Sequence, residues 1–186
     1  MKRTEEERLE LIRQMLIEIG EDPDREGLLD TPKRVLKSWS EIYKGYDQKV
    51  EDLLTTFDAD GYDEIVLLRN IEFYSMCEHH TLPIIGVAHV AYIPDGKIVG
   101  ISKLARLVNM YARRLQIQER ITAQVTSDLM QYLKPKGAAC IIDAGHLCMR
   151  MRGVNKQHSS MVTSSMQGVF RENTAAREEL MSLIRM

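Results

Sequence analysis

Pro83-Ile84-Ile85-Gly86-Val87-Ala88-His89-Val90-Ala91-Tyr92-Ile93, followed by Pro94-Asp95-Gly96-Lys97, decides how this chain folds. Eleven residues dense in β-branched and apolar side chains, closed by a Pro-Asp-Gly turn, spell a strand and its end. Upstream, residues 65–76 have the same character and read as another strand. Downstream, residues 98–101 are apolar enough to extend the strand past the turn. Ser102 then caps a helix with Leu104, Leu107, Val108 and Tyr111 on one face. A longer helix covers about 117–133, striped by Ile117, Ile121, Val125 and Leu129 and ended by Pro135 and Gly137. Residues 138–152 and 159–170 read as a third and a fourth strand, and Asn173 caps a last helix over about 174–184.

Two helices precede the strands. Leu9, Ile12, Leu16 and Ile19 recur at spacings of three and four, and Gly20 is placed to stop the first helix. Thr31 as N-cap and Pro32 as first helical residue open the second, whose apolar face is Val35, Leu36, Trp39, Ile42 and Tyr43, with Gly45 at its end. A loose stretch follows, with room for a short helical turn near 52–55, and 58–63, with Gly61, reads as a linker. The expected organisation is an N-terminal helical region, 1–60, and a main domain, 61–186. Strands and helices segregate in that domain, so the fold class is α+β: an antiparallel sheet backed by a helical pair.

Composition narrows the function classes. The 186 residues are 44% apolar and 28% charged, an ordinary balance for a soluble globular protein, and the eleven methionines suit core or subunit contacts. A net charge of -2 excludes a general nucleic-acid binder, so an anionic ligand needs a local cluster of Lys and Arg. No apolar run approaches a membrane span, and the charged residues 1–7 hold no apolar signal core, so no membrane association is expected and a cytoplasmic location is. Three cysteines, Cys77, Cys140 and Cys148, argue against a disulfide framework and for thiol chemistry or metal binding.

Four constellations carry chemistry. In Cys77-Glu78-His79-His80, at the end of a strand, the three-residue spacing of Cys77 and His80 lets one turn aim both at a single ion. In His146-Leu147-Cys148-Met149-Arg150-Met151-Arg152, strand alternation would put His146, Cys148, Arg150 and Arg152 on one face. Two thiolates and one imidazole suit zinc (Zn2+). Three protein ligands leave a fourth position for a water whose pKa falls to about 7, whereas His79 or His146 as fourth ligand would close a structural site. A simply buried Cys148 is the plainer alternative; Cys140, among Ala138, Ala139, Ile141 and Ile142, looks like that case. In Gly100-Ile101-Ser102-Lys103-Leu104-Ala105-Arg106, cations in a first helical turn oppose the dipole but are well placed for a phosphate; taken alone, the segment fits a solvated helix face better. In Gln118-Glu119-Arg120, the acid is a helix-dipole partner or an acceptor for the N–H groups of a guanine edge. His89, in register with Val87 and Ala91, fits a core or interface better than a ligand role, and His158 fits an exposed loop.

These four segments, in this order and spacing, resemble the signature segments of the GTP cyclohydrolase I family, and the resemblance runs from about Thr31 to the end. It implies a tunnelling fold, with a four-stranded antiparallel sheet and a helical pair, in protomers that join as a homodecamer of two stacked pentamers. The implied reaction is zinc-dependent hydrolysis of GTP at guanine C8, releasing formate. Ribose rearrangement and ring closure then give 7,8-dihydroneopterin 3'-triphosphate, the first step of folate and tetrahydropterin biosynthesis. The implied zinc ligands are Cys77, His80 and Cys148. His146 and His79 are the implied proton-transfer groups, with Ser102 near the ribose. Glu119, with Gln118, reads the guanine ring; Lys103, Arg106 and Arg152 hold the triphosphate, and Arg34 reaches it from a neighbouring subunit. The rival from another class is a non-catalytic GTP-binding module with a structural zinc.

Overall fold

The structure, a computed structural model, describes residues 3–186, so the first two residues of the charged N-terminal stretch lie outside it. Two compact units divide between Lys44 and Gly45. In the first, α1 (Glu5–Glu18) opens on a capping box: the Thr4 hydroxyl accepts from the Glu7 N–H, and the Glu7 carboxylate from the Thr4 N–H. Gly20, at φ +91°, takes the left-handed conformation just past its end, where glycine carries no steric penalty. Helix α2 (Thr31–Ile42) has Asp30 as N-cap, one residue before the expected Thr31, with Pro32 in the first turn. The helix stops at Ile42, before Gly45.

Gly45 has a different task, in the second unit. A Cβ there would sit 2.1 Å from the Met110 carbonyl oxygen, so only glycine permits that approach. Val50 and Leu53 are in the same core, which is why the second unit begins well before residue 60. Its main sheet holds β2 (Val66–Cys77), β3 (Pro83–Ile93), β6 (Gly137–His146) and β7 (Met161–Gly168), antiparallel in that spatial order. A two-residue strand, β5 (Leu115–Gln116), adds a parallel edge beside the end of β2. The expected four antiparallel strands are therefore present, with one short addition.

Two local expectations fail together. Residues 98–101 do not prolong β3, and residue 58 is not linker: β1 (Thr56–Asp58) pairs with β4 (Lys97–Val99) in a separate two-stranded sheet. Gly96, at φ +75°, reverses the chain out of the β3 ladder. Three residues of Thr-Phe-Asp carry too little alternation to announce a strand.

The helical pair is α3 (Ile101–Ala112) and α4 (Gln118–Asp128), the latter running on through a π-helical turn, Leu129–Leu133, to Lys134 at φ +52°. Gly100 is the N-cap of α3; Ser102 lies inside its first turn and does not cap it. Leu104, Leu107, Val108, Ile121, Val125 and Leu129 are buried in one core cluster with Phe73, Val90 and Ile142 of the sheet. Each such side chain contributes about 1.5–3 kcal/mol. Cys140 belongs to this core, where complete burial pushes its thiol up to about 12. A smaller cluster of Ala91, Ile93, Ala139, Phe170 and Leu180 brings in the one-turn α6 (Val169–Glu172) and α7 (Thr174–Arg185), whose cap Asn173 accepts from the Ala175 and Ala176 N–H groups. No helix among the described residues is long and apolar enough to cross a membrane.

The third strand ends sooner than 152. His146 pairs with Ile84, next to Pro83, which has no N–H to donate, and β7 begins at Met161 opposite Ala144. Beyond His146 neither neighbour offers a ladder, and Leu147–Arg150 (α5) forms a single helical turn. The expected strand face of His146, Cys148, Arg150 and Arg152 therefore does not exist. Arg150 instead donates to the Ser159 carbonyl, and its guanidinium lies where a Cβ on Gly145 would be.

His89 is half-buried, and its Nδ1 accepts the Asn70 N–H at 3.3 Å, where Asn70 (φ +56°) sits in a bulge of β2. That bond requires an unprotonated Nδ1. Burial first, then the charge of Arg69, pushes the imidazole below its ordinary value, against a weaker pull from Asp143. The unfolded chain takes up the proton at about pH 6.5 and the native state resists it, so the stability from neutral His89 is present above that pH and is lost as pH falls. Chemical denaturation from pH 7.5 to 5 should show the gap between the parent and a His89→Gln variant narrowing; a constant gap would contradict this.

Candidate metal and nucleotide site

Cys77 is the last residue of β2, and the loop after it folds back tightly. The Cys77 N–H donates to the Leu82 carbonyl and the Thr81 N–H to the Cys77 carbonyl, both at 2.8 Å. Thr81 takes φ +52°, a costly conformation for a β-branched residue and one that accumulates at functional sites. The loop is also tied to β5 and to α4. The Glu78 N–H donates to the Gln116 carbonyl at 3.0 Å, and Arg120 grips the Glu78 carboxylate through two nitrogens, at 2.5 and 3.1 Å. The Arg120 hydrogen bonds hold the Glu78 carboxyl below its usual range.

This closure brings His80 Nδ1 to 3.8 Å from Cys77 Sγ. The α5 turn supplies Cys148 from the adjacent end of β6, and the ligand atoms of Cys77, His80 and Cys148 all lie within 4.8 Å of one another. Among the described residues this is the one such group of three or more. Zinc with bonds of about 2.3 Å to sulfur and 2.0–2.1 Å to nitrogen spans such separations with little movement. The donor chemistry agrees. Burial, and then the neighbouring Cys77, raises the Cys148 thiol, with Arg152 partly offsetting this. A divalent cation between the two sulfurs would reverse that repulsion.

The expected fourth ligands of a closed site are elsewhere. His79 Nδ1 is 3.9 Å from Cys77 Sγ, but its ring is largely exposed and falls outside the group. His146 Nε2 is engaged by the Gln118 side chain at 2.8 Å. His79, His146 and Glu119 nevertheless line the same cavity, of about 170 Å³, as the three ligands. Burial first, then Arg150, pushes the His146 imidazole below its ordinary value, against the pull of Glu119.

The other expected site residues divide. Glu119 is exposed in the first turn of α4, where its carboxylate can accept from a ligand. Gln118 lines the cavity but is wholly buried, and its amide is hydrogen-bonded to protein partners. Ser102 and Arg106 are exposed and Lys103 half-buried in the first turns of α3, outside the cavity lining. Arg152 is exposed just after α5. Lys103, Arg106 and Arg152 form no ion pair among the described residues, whereas Arg34, on α2 of the first unit, pairs with Asp30 at 3.3 Å. Nothing in the residue pattern announces the Glu78–Arg120 clamp or the contact of Thr122 with Thr163. Their partners lie about 40 residues apart, and only the spacing of Gln118 and Thr122 along one helix face was a local sign.

The chain is similar in sequence to known proteins. The model of the GTP cyclohydrolase I family matches residues 9–185. The GTP cyclohydrolase 1 of Wolinella succinogenes is 57% identical over 177 residues, 95% of each chain. A Nostoc relative named GTP cyclohydrolase 1 2 is 55% identical over 98% of this chain and 85% of its own. The GTP cyclohydrolase 1 of Gloeobacter violaceus is 54% identical over 95% of this chain and 83% of its own.

If the Glu78–Arg120 clamp sets the loop, Arg120→Ala should weaken metal binding about tenfold or more in a chelator competition while the fold is kept. Unchanged affinity would show that the loop holds its shape without it.

Proposed function

The chain belongs to the GTP cyclohydrolase I family of enzymes, and from that membership we propose that it opens the guanine ring of GTP at C8, releases formate and forms 7,8-dihydroneopterin 3'-triphosphate. One observation carries the assignment of the site: Cys77, His80 and Cys148 line the same small cavity as His79, His146 and Glu119. Zinc fits the three ligands, and when bound it supplies Lewis acidity and water activated at neutral pH.

The chain's own groups divide the remaining work. The Glu119 carboxylate accepts from the N–H groups of the guanine edge. His146, neutral at pH 7 because burial lowers its pKa, exchanges protons with the purine ring. His79, exposed at the cavity rim, and Ser102 move protons in the ribose rearrangement. The uncommitted Lys103, Arg106 and Arg152 take the triphosphate, the first two aided by the N-terminus of α3. Arg34 joins them from a neighbouring subunit.

The cavity, at about 170 Å³, is smaller than the roughly 300–1,000 Å³ of a site that encloses a drug-sized ligand. A nucleoside triphosphate must therefore extend beyond what this unit encloses. That supports completion of the site by another copy, in a decamer of two stacked pentamers, with the free edge of β7 covered by a neighbouring sheet. Three free cysteines suit a reducing cytoplasm.

Incubation of zinc-loaded protein with GTP should yield formate and, after oxidation, fluorescent neopterin, and both should vanish on chelation or in Cys148→Ala. GTP binding without either product would favour a binding module. Arg152→Ala should raise the KM for GTP by about tenfold, the loss of one charge-assisted contact; an unchanged KM would remove Arg152 from the phosphate site.

A further inference from the structure

We propose that Gln118 is a positioning residue that fixes His146 with its proton on Nε2, so that every proton His146 exchanges passes through Nδ1. The inference rests on the proton-transfer role of His146 proposed above.

The direction of each hydrogen bond follows from its partners. The Gln118 side-chain nitrogen lies 3.1 Å from the Ile142 carbonyl and 2.8 Å from the Met161 carbonyl. Main-chain carbonyls only accept, so the group facing them is the amide NH2 and not its oxygen. A third partner is the Thr163 hydroxyl, at 3.1 Å. Thr122 gives its one hydroxyl proton to the Gln118 main-chain carbonyl at 2.8 Å, so the 2.6 Å contact between the two threonines is a bond donated by Thr163. The Thr163 oxygen is then free to accept from Gln118. The NH2 has two protons for these three acceptors, so Thr163 shares one of them with a carbonyl, and the ring runs on from Thr163 to Thr122 and back to the Gln118 main chain.

That ring leaves the amide one orientation, with Oε1 turned to His146 Nε2 at 2.8 Å. A carboxamide oxygen only accepts, so Nε2 carries the proton, and the neutral ring has its lone pair on Nδ1. The side chain is fully buried, and reversing the amide would turn its oxygen, which cannot donate, against two main-chain carbonyls. The anchor spans α4, β6 and β7, which places the histidine by the packing of the helix on the sheet.

The test is kinetic and spectroscopic. In zinc-loaded protein, Gln118→Met should lower kcat about 10–100-fold with the KM for GTP nearly unchanged. The preference for GTP over inosine triphosphate, which lacks the 2-amino group, should stay put. In a His146→Ala background the same change should cost nothing further. Thr163→Val should lower kcat about two- to tenfold, the loss of one hydrogen bond, and Thr163→Ser should restore it; this pair serves if Gln118→Met does not fold. Solid-state 15N spectra of histidine-labelled protein should show His146 protonated at Nε2, and a mixture of tautomers in Gln118→Met. An unchanged kcat, losses that add to those of His146→Ala, or an Nδ1-protonated His146 would overturn the proposal. A raised KM with altered GTP preference would place Gln118 at the guanine edge instead. Full activity in His146→Ala would sink the proton-transfer role itself, and is told apart because it needs no change at Gln118.

Discussion

The site depends on where the β3–β6 ladder stops. Ile84 opposite His146 is its last pair, and Pro83 beside it can donate no further hydrogen bond. The connection between β2 and β3 must close at that end, and the chain leaving β6 must turn there as well. One reversal carries Cys77 and His80, the other Cys148. A group that could hold a metal ion therefore comes together from two segments some seventy residues apart because the same edge of sheet runs out of partners for both.

The start of α4 organises what the sheet end brings together. Arg120 holds the Cys77–Thr81 loop through Glu78, Gln118 holds His146, and Glu119, between them, is left exposed toward the cavity. Three consecutive residues thus face the loop, the cavity and the histidine. The helix can do this because its other face, Ile121, Val125 and Leu129, is fully buried against the sheet. The packing energy of that stripe holds the polar residues in place at no cost in their own flexibility.

Much of this was legible in the sequence. Pro83–Ile93 is the observed strand residue for residue, Ile121, Val125 and Leu129 of the expected stripe are buried while Ile117 is a half-buried N-cap, and Asn173 caps α7. The Cys77 to His80 spacing anticipated two ligand atoms at one point. The misreadings share a cause: local pattern does not carry pairing. Residues 147–152 alternate well enough for a strand but have no neighbour to pair with. Residues 56–58 have almost no pattern yet find β4. Gln118 looks like a polar residue at a helix start, and only the approach of β6 and β7 shows that its amide is consumed inside the protein.

The central claim is that Cys77, His80 and Cys148 are the whole protein ligand set of one metal ion. X-ray absorption spectroscopy of the zinc-loaded protein tests it most directly. Two sulfur neighbours at about 2.3 Å, one imidazole nitrogen at about 2.0–2.1 Å and one further light atom without imidazole scattering are expected. A second imidazole in the shell, or a single sulfur, would contradict it.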